Sequence, residues 1–374
     1  MIRNDQLVRR PKIKPPMSKK RKKIIIFSSI GGGLLLIGLG LFLYFVVFAQ
    51  QPTEEPPPAP EPEPVRYYSP LTGLETSEEN TKRAVTAVMI ENSPEARPQS
   101  ALDGKNVVFE AVAEGGITRF VMLYQEWQPK LIGPVRSVRP YYLEWATGFD
   151  SALAHVGGSA RGLEMIQSGN YALDLDQYYN DSAYWRTTDR YMPHNVYTDA
   201  KHLNNLEASK GKLTSSFEAW QRQDGAAILP KAETEEASTE ITTEEHIFAQ
   251  KISLPVSDGI FAVQYNYNQA SNKYQRWQGG EKHIDANTNK QIAPDAVIAI
   301  MVGLGAAGEY SDYDTIGHGT AYIFQNGTVV KAKWRKSSAK QNIKFVDADG
   351  EDIAINRGQV WVTAISTDEK VTWK

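Results

Sequence analysis

Apolar positions fall along this chain in three different ways. Residues 24–49, IIIFSSIGGGLLLIGLGLFLYFVVFA, contain no charge at all. As a helix rising about 1.5 Å per residue they reach roughly 39 Å, more than the ~30 Å hydrocarbon core of a bilayer, so a tilted transmembrane helix is expected over 24–49. From 67 to 231 short apolar runs bounded by turn residues alternate with helix-like segments. AVTAVMIEN (84–92), NVVFEAV (106–112), RFVMLYQEW (119–127) and SALAHVGG (151–158) read as strands, several of them buried. RPYYLEWATGF (139–149), ARGLEMIQSG (160–169) and AKHLNNLEASKG (200–211) read as helices, with Ser159 as N-cap of the second and Gly169 ending it. Such alternation predicts an α/β layered domain over 67–231. From 251 to 374 the runs are short, aromatic and β-branched. QNGT (325–328) and DADGED (347–352) carry Asn-Gly and Asp-Gly hairpin signals, which predicts a mostly antiparallel β domain. The fold class is therefore α+β, membrane-anchored, with the α/β domain first and the β-rich domain second.

Charge gives the anchor a direction. Residues 1–23 hold ten Lys/Arg, five of them in KKRKK at 19–23, against the single acid Asp5. Cationic flanks stay in the cytoplasm, which puts 1–23 inside and everything after the helix outside, as in a single-pass protein of the cell membrane. No small-residue cleavage site follows the apolar run, so the helix is not read as a removed signal peptide. The basic run is then a topology signal that also attracts anionic lipid, and not a nucleic-acid contact. PPPAPEPEP (56–64), within a Pro/Glu linker spanning 50–66, predicts an extended, semi-rigid spacer. AETEEASTEITTEE (232–245), within a connector spanning 232–250, is too polar to bury anything. Without tail, linker and this stretch, the body carries 30 bases and 33 acids, so any anion site must be a local cluster. The chain has no cysteine. Disulfides, thiolate nucleophiles and a lipid carried on an N-terminal cysteine are excluded.

Local clusters exist. LIGPVRSVRP (131–140) sets Arg136, Ser137 and Arg139 just before a helix that has Pro140 at its first position. Helix N-termini offer backbone N–H groups and the positive end of a dipole, and forked guanidinium donors add to both. Two readings stand: the arginines bind a phosphate or carboxylate, or they pair with Glu110, Glu114 or Asp150 and brace the fold. EAVAEGGITRF (110–120) adds Glu110, Glu114 and Arg119 around a Gly-Gly pair that suits a tight turn or close ligand approach. AHVGGS (154–159) places His155 before a helix start, where the amides of Gly158 to Ala160 could face an anion or simply pack. In WRTTDRYMPHNVYT (185–198), Arg186, Arg190, His194 and Asn195 line a pocket or stabilise an ordinary loop.

Several chemistries find no support. There is no Walker loop, no G-x-S-x-G and no H-E-x-x-H, and the six histidines are scattered, so neither a metal site nor a cofactor is indicated. DANTNKQIAPDA (285–296) imitates the start of a calcium loop, but lacks its sixth-position glycine and twelfth-position glutamate and reads as a hairpin turn. Trp277, Trp334, Trp361 and Trp373 could form a sugar-stacking face, but tryptophan at strand spacing is more often core.

The segments SPLTGL (69–74), AVMIENSPEARPQSAL (87–102), VVFEAVAEGGITRF (107–120), IGPVRSVRPYY (132–142), AHVGGS (154–159) and PHNVYT (193–198) together resemble the YerB-like family of bacterial envelope proteins. YQRWQGGEKHIDANTNK (274–290) and TVVKAKWRK (328–336) resemble its second domain. Members are commonly lipoproteins, so the resemblance implies an outward location, reached here by a helix, and two domains with no assigned reaction. GITRFVMLY, LIGPVRSVRP, LAHVGGS and LDLDQYY also follow the block order of LytR-CpsA-Psr enzymes. Those transfer glycans from polyprenyl pyrophosphate, and the similarity implies that Arg119, Arg136 and Arg139 face the pyrophosphate. Thr118 and Ser137 stand where those enzymes carry aspartates, so the metal-holding acid is missing from its expected place. Three functions follow as expectations: binding of a phosphorylated or cell-wall-derived anion through the arginines, phosphotransfer of the LytR-CpsA-Psr kind, or a non-catalytic scaffold for a membrane protein partner.

Overall fold

A computed structural model of the chain describes residues 19–48, 65–229 and 246–374. The predicted tail up to residue 18, the linker as far as residue 64 and the acidic connector as far as residue 245 lie outside the described residues. The first helix spans Lys19–Phe48 and so begins inside the basic run. Its stretch Ile30–Phe48 has a mean hydropathy of 2.4 and no buried residue, which makes it long and apolar enough to cross a membrane. Val65–Lys374 forms a separate compact unit.

The strands at 84–92, 106–112, 119–127 and 151–158 form as expected, as Thr86–Ile90, Val107–Glu114, Ile117–Tyr124 and Ala152–His155. The helices form as Pro140–Thr147, Ala160–Gln167 and Ala200–Ser209. Ser159 caps the second of these, its side chain accepting from the Gly162 amide. The sheet order is Ile247–Phe248, Thr328–Lys336, Gly317–Gln325, Ala296–Val302, Val360–Ser366, Val107–Glu114, Ile117–Tyr124, Thr86–Ile90, Ala152–His155, Leu173–Asp176. This single sheet draws strands from both halves of the chain. The join is Val360–Thr363 running parallel to Val107–Glu110. Ala296–Val302 is also parallel to Val360–Ser366, so the second half is less purely antiparallel than its sequence suggests. Its antiparallel part includes a five-stranded sheet, in the order Glu281–Lys282, Lys273–Gln278, Val263–Asn268, Lys251–Leu254, Thr372–Trp373. The Asn326-Gly327 hairpin forms as predicted, with both turn residues at positive φ.

Period-two alternation gives the large sheet two apolar faces. Ala87, Met89, Val107, Phe109, Val121 and Leu123 face one core with Tyr141, Tyr142 and Trp145 of the helix Pro140–Thr147. Val88, Ile90, Val108, Phe120 and Met122 face the other, with Ile252, Val263, Tyr265 and Tyr274 of the small sheet and Leu203 of the helix Ala200–Ser209. Both faces are covered, which is why these strands read as continuous apolar runs. Trp334 and Trp361 are core residues, so the four tryptophans form no exposed stacking face.

Thr86–Ile90 runs parallel to Ala152–His155, which runs parallel to Leu173–Asp176. Ile117–Tyr124 is antiparallel to both Thr86–Ile90 and Val107–Glu114, so those two share a direction. The carboxyl ends of six strands therefore meet at one edge, the usual place for a ligand in an open α/β sheet.

Candidate functional site

The stretch 131–138 is not a strand of the sheet but an extended strap laid across this carboxyl edge. Glu91 N–H donates to Pro134 O, Arg136 N–H to Met89 O, Val156 N–H to Arg136 O, and Val138 N–H to Gly157 O. The strap thereby ties the ends of Thr86–Ile90 and Ala152–His155 together. It also uses the amides of Arg136, Val138 and Ser159, so the free N–H groups expected at this turn are partly consumed.

The predicted arginines divide into two groups. Arg119 and Arg139 share one carboxylate, with Nη2 of each 2.8 Å from a different oxygen of Glu114. Arg119 also donates to Ser137 O, and Arg139 to Val138 O, while its guanidinium lies 4.5 Å from the Tyr310 ring centroid. Both arginines are buried. Burial pushes the Glu114 carboxyl up, but Arg119 and Arg139 together outweigh it and hold it below the usual range. Glu114 sits there because Gly115 and Gly116, both at positive φ, close a tight turn between its strand and the strand of Arg119.

Arg136 turns elsewhere. Its Nε meets Glu91 Oε1 at 3.1 Å, and among the described residues its two Nη groups make no hydrogen bond. Its side chain keeps 25% exposure, whereas Glu91 keeps 2%. Oε1 of Glu91 also receives Ser93 Oγ at 3.0 Å and faces His194 Nδ1 at 2.9 Å. Its Oε2 is buried without a partner among the described residues. A buried acceptor of this kind calls for a donor. Glu91, Arg136 and His194 thus form a small, partly exposed cluster, and sequence reasoning missed its carboxylate. The signal was an acid directly following the apolar run AVMI, where a buried strand ends.

The other candidates are placed as follows. Arg186 Nη1 donates to Asn195 Oδ1, and Asn195 Nδ2 donates to Thr187 O and Arg190 O. Arg190 donates to Glu95 O and Pro98 O, which holds the loop of His194 over Glu91. These three shape that loop. His155 is fully buried, with one ring nitrogen 2.8 Å from Gly157 O and the other 3.1 Å from Asp174 Oδ1, so it packs the turn and reaches no ligand position. Glu110 does not support the arginines of the strap. It is fully buried on the opposite face of the strand from Glu114's partners, paired at 2.8 Å with Arg276 of the small sheet and at 3.0 Å with Trp361 Nε1. Alternation alone would put Glu110 and Glu114 on one face; the register shift between Val112 and Glu114 separates them, and Arg276, unforeseen in the sequence, meets Glu110.

That buried pair is wired to the site. Arg276 Nε donates to His283 Nδ1, so a neutral His283 carries its proton on Nε2, facing Gln99 Oε1 at 2.9 Å. Burial first, then the Arg276 charge, push His283 well below the usual histidine range, which keeps it neutral. Gln99 Nε2 then donates to Glu91 O and Asn92 Oδ1, and Asn92 Nδ2 donates to Thr118 Oγ1. The backbone position of Glu91 is thus fixed from the core of the molecule.

Two family models match this chain, the Protein of unknown function (DUF3048) N-terminal domain at residues 71–214 and its C-terminal domain at residues 252–362. The chain belongs to the DUF3048 family. A relative named Putative lipoprotein YerB, from Bacillus subtilis (strain 168), is 28% identical over 330 residues, covering 87% of this chain and 92% of its own. The crystal structure of YerB protein from Bacillus subtilis superposes with a TM-score of 0.70 at 27% identity, covering 82% of this chain and 99% of that one. In this DUF3048 protein the two family domains meet through the shared sheet, and both the strap and the Glu91 cluster lie within the N-terminal one.

Proposed function

We propose that this chain is a single-pass protein of the cell envelope whose outer body binds an anionic group, phosphorylated or derived from the cell wall, at Arg136 and His194. The basic flank supports a cytoplasmic N-terminus with residues 50–374 outside. The lipoprotein name of the Bacillus relative supports the envelope, with a helix in place of the lipid that a cysteine-free chain does not carry on a thiol. The observation that carries the binding reading is Arg136: of the three arginines it alone combines exposure with unengaged Nη donors, at the edge of the sheet where ligands bind.

A scaffold for a membrane protein partner is the second reading, and the engagement of both Nη groups of Arg119 and of Arg139, by Glu114 and by the carbonyls of Ser137 and Val138, favours it. Transfer chemistry has less support, because the buried Thr118 hydroxyl, satisfied by Asn92, fills the place where the resembling enzymes carry an aspartate.

Two experiments test the proposal. Because the chain has no cysteine, Thr53→Cys and Ser18→Cys report topology cleanly. An impermeant maleimide labels Thr53→Cys on intact cells and Ser18→Cys only after lysis, and the reverse pattern overturns the orientation. The full chain in detergent gains melting temperature with inorganic phosphate or pyrophosphate, because a ligand of the folded state must raise it. Arg136→Ala abolishes the gain. No gain in the wild type sinks anion binding and leaves the scaffold.

A further inference from the structure

Large aromatic side chains stand out of the same edge. Tyr178 is 68% exposed, Tyr179 75% and Tyr191 90%.

Their positions are built. Asp176 Oδ1 accepts from the amides of both Gly157 and Tyr178, which pins the tyrosine loop to the turn after Ala152–His155. The Tyr178 ring lies so close to Gly157 that a Cβ there would come within 3.1 Å of it. Gly157 in turn accepts from Val138 in the strap of Arg136. On the other side His194 N–H donates to Tyr191 O, in the turn that places His194 on Glu91. Tyr191 and His194 share one turn, His194 and Arg136 share Glu91, and the strap of Arg136 reaches Gly157, under the Tyr178 ring, through Val138. Tyr178 is thus exposed beside the turn that the strap holds, and Tyr191 is exposed in the turn that carries His194.

We infer that the carboxyl edge takes a phosphorylated sugar, with the phosphate on Arg136 and His194 and sugar rings against Tyr178 and Tyr191. The inference rests on the anion-binding reading above. Tyrosine offers a flat apolar face with a polar tip, which suits the C–H faces and hydroxyls of a pyranose ring.

The test is binding to the full chain in detergent micelles of inorganic phosphate, N-acetylglucosamine 1-phosphate and a short-chain phosphatidylglycerol, read by calorimetry. The sugar phosphate binds roughly tenfold more tightly than phosphate, the scale of one or two aromatic contacts. Tyr178→Ala/Tyr191→Ala lowers sugar phosphate to the affinity of phosphate and leaves phosphate unchanged. Arg136→Ala loses both, and near-ultraviolet circular dichroism confirms that each variant is folded. Equal affinities for sugar phosphate and phosphate, both lost in Arg136→Ala, overturn the sugar inference and leave the anion site standing. A lipid phosphate that depends on the tyrosines as strongly as the sugar also overturns it. Binding of none of the three removes the anion site and the inference together.

Discussion

Replacing Arg276 by methionine should destabilise this protein more than any change at the exposed cluster. Arg276 and Glu110 are both fully buried and tie the small sheet to the middle of the large one. The guanidinium also donates to Tyr265 Oη and His283 Nδ1 and lies 4.5 Å from the centroid of Trp361. In Arg276→Met the Glu110 carboxylate keeps Trp361 Nε1 as its donor and loses its countercharge. Breaking a buried pair from one side costs about 3–5 kcal/mol, which for a body of this size lowers the melting temperature by on the order of 10 °C. Arg276→Met/Glu110→Leu removes both charges and should melt closer to the wild type than Arg276→Met does, since an apolar replacement of a buried pair is often tolerated. Thermal unfolding of the full chain in detergent, followed by near-ultraviolet circular dichroism, gives all three values. A single variant within about 2 °C of the wild type, or a double variant no better than the single, refutes the reasoning.

The remaining predictions concern single sites. Glu207 is buried against Thr86 Oγ1, and burial pushes its carboxyl up to about 7. Below its unfolded value it costs nothing, and stability is lost as pH rises from there through about 7, so Glu207→Gln should flatten the melting profile between pH 5 and 8 and stabilise the protein at pH 8 by about 3 kcal/mol. Glu114→Gln leaves Arg119 and Arg139 without a countercharge and should cost about 2–4 kcal/mol by denaturant titration, while Arg136→Ala, at a partly exposed pair, should cost about 1–2. Gly327→Ala meets both a positive φ and the Tyr267 ring, and should lower the unfolding free energy by at least about 1 kcal/mol in a denaturant titration, whereas Gly211→Ala, at positive φ with open space, should cost less.

The arrangement of elements was legible where a local rule decides it. Apolar runs such as AVTAVMI had to be covered strands, Pro140 had to open its helix, and Asn326-Gly327 had to turn a hairpin. Each rule uses neighbours within a few residues. The sharing of one sheet between the two halves was not legible, because the pairing of Val360 with Val107 depends on contacts some 250 residues apart. Arginine roles failed to show for the same reason. Arg119, Arg136 and Arg139 look alike in sequence, yet one strap residue carries Arg136 to Glu91 while the next turn delivers Arg139 to Glu114.

This division has a functional logic. A charged site at a sheet edge is useful only if its own charges do not collapse onto each other. Here Arg119, Glu114 and Arg139 form a rigid unit one turn away from the strap, and the relay Arg276–His283–Gln99 fixes the backbone under Glu91. Arg136 and His194 can then remain partly exposed over a carboxylate that cannot move. Bracing and binding, which stand as alternatives for a pair of arginines in sequence, are on this account the work of different members of the cluster. Loss of Glu114 should therefore impair stability and ligand binding together, and loss of Arg136 should abolish binding at a smaller cost in stability, about 1–2 kcal/mol. If the two substitutions affect stability equally and binding not at all, all three arginines brace the fold and the ligand surface lies elsewhere.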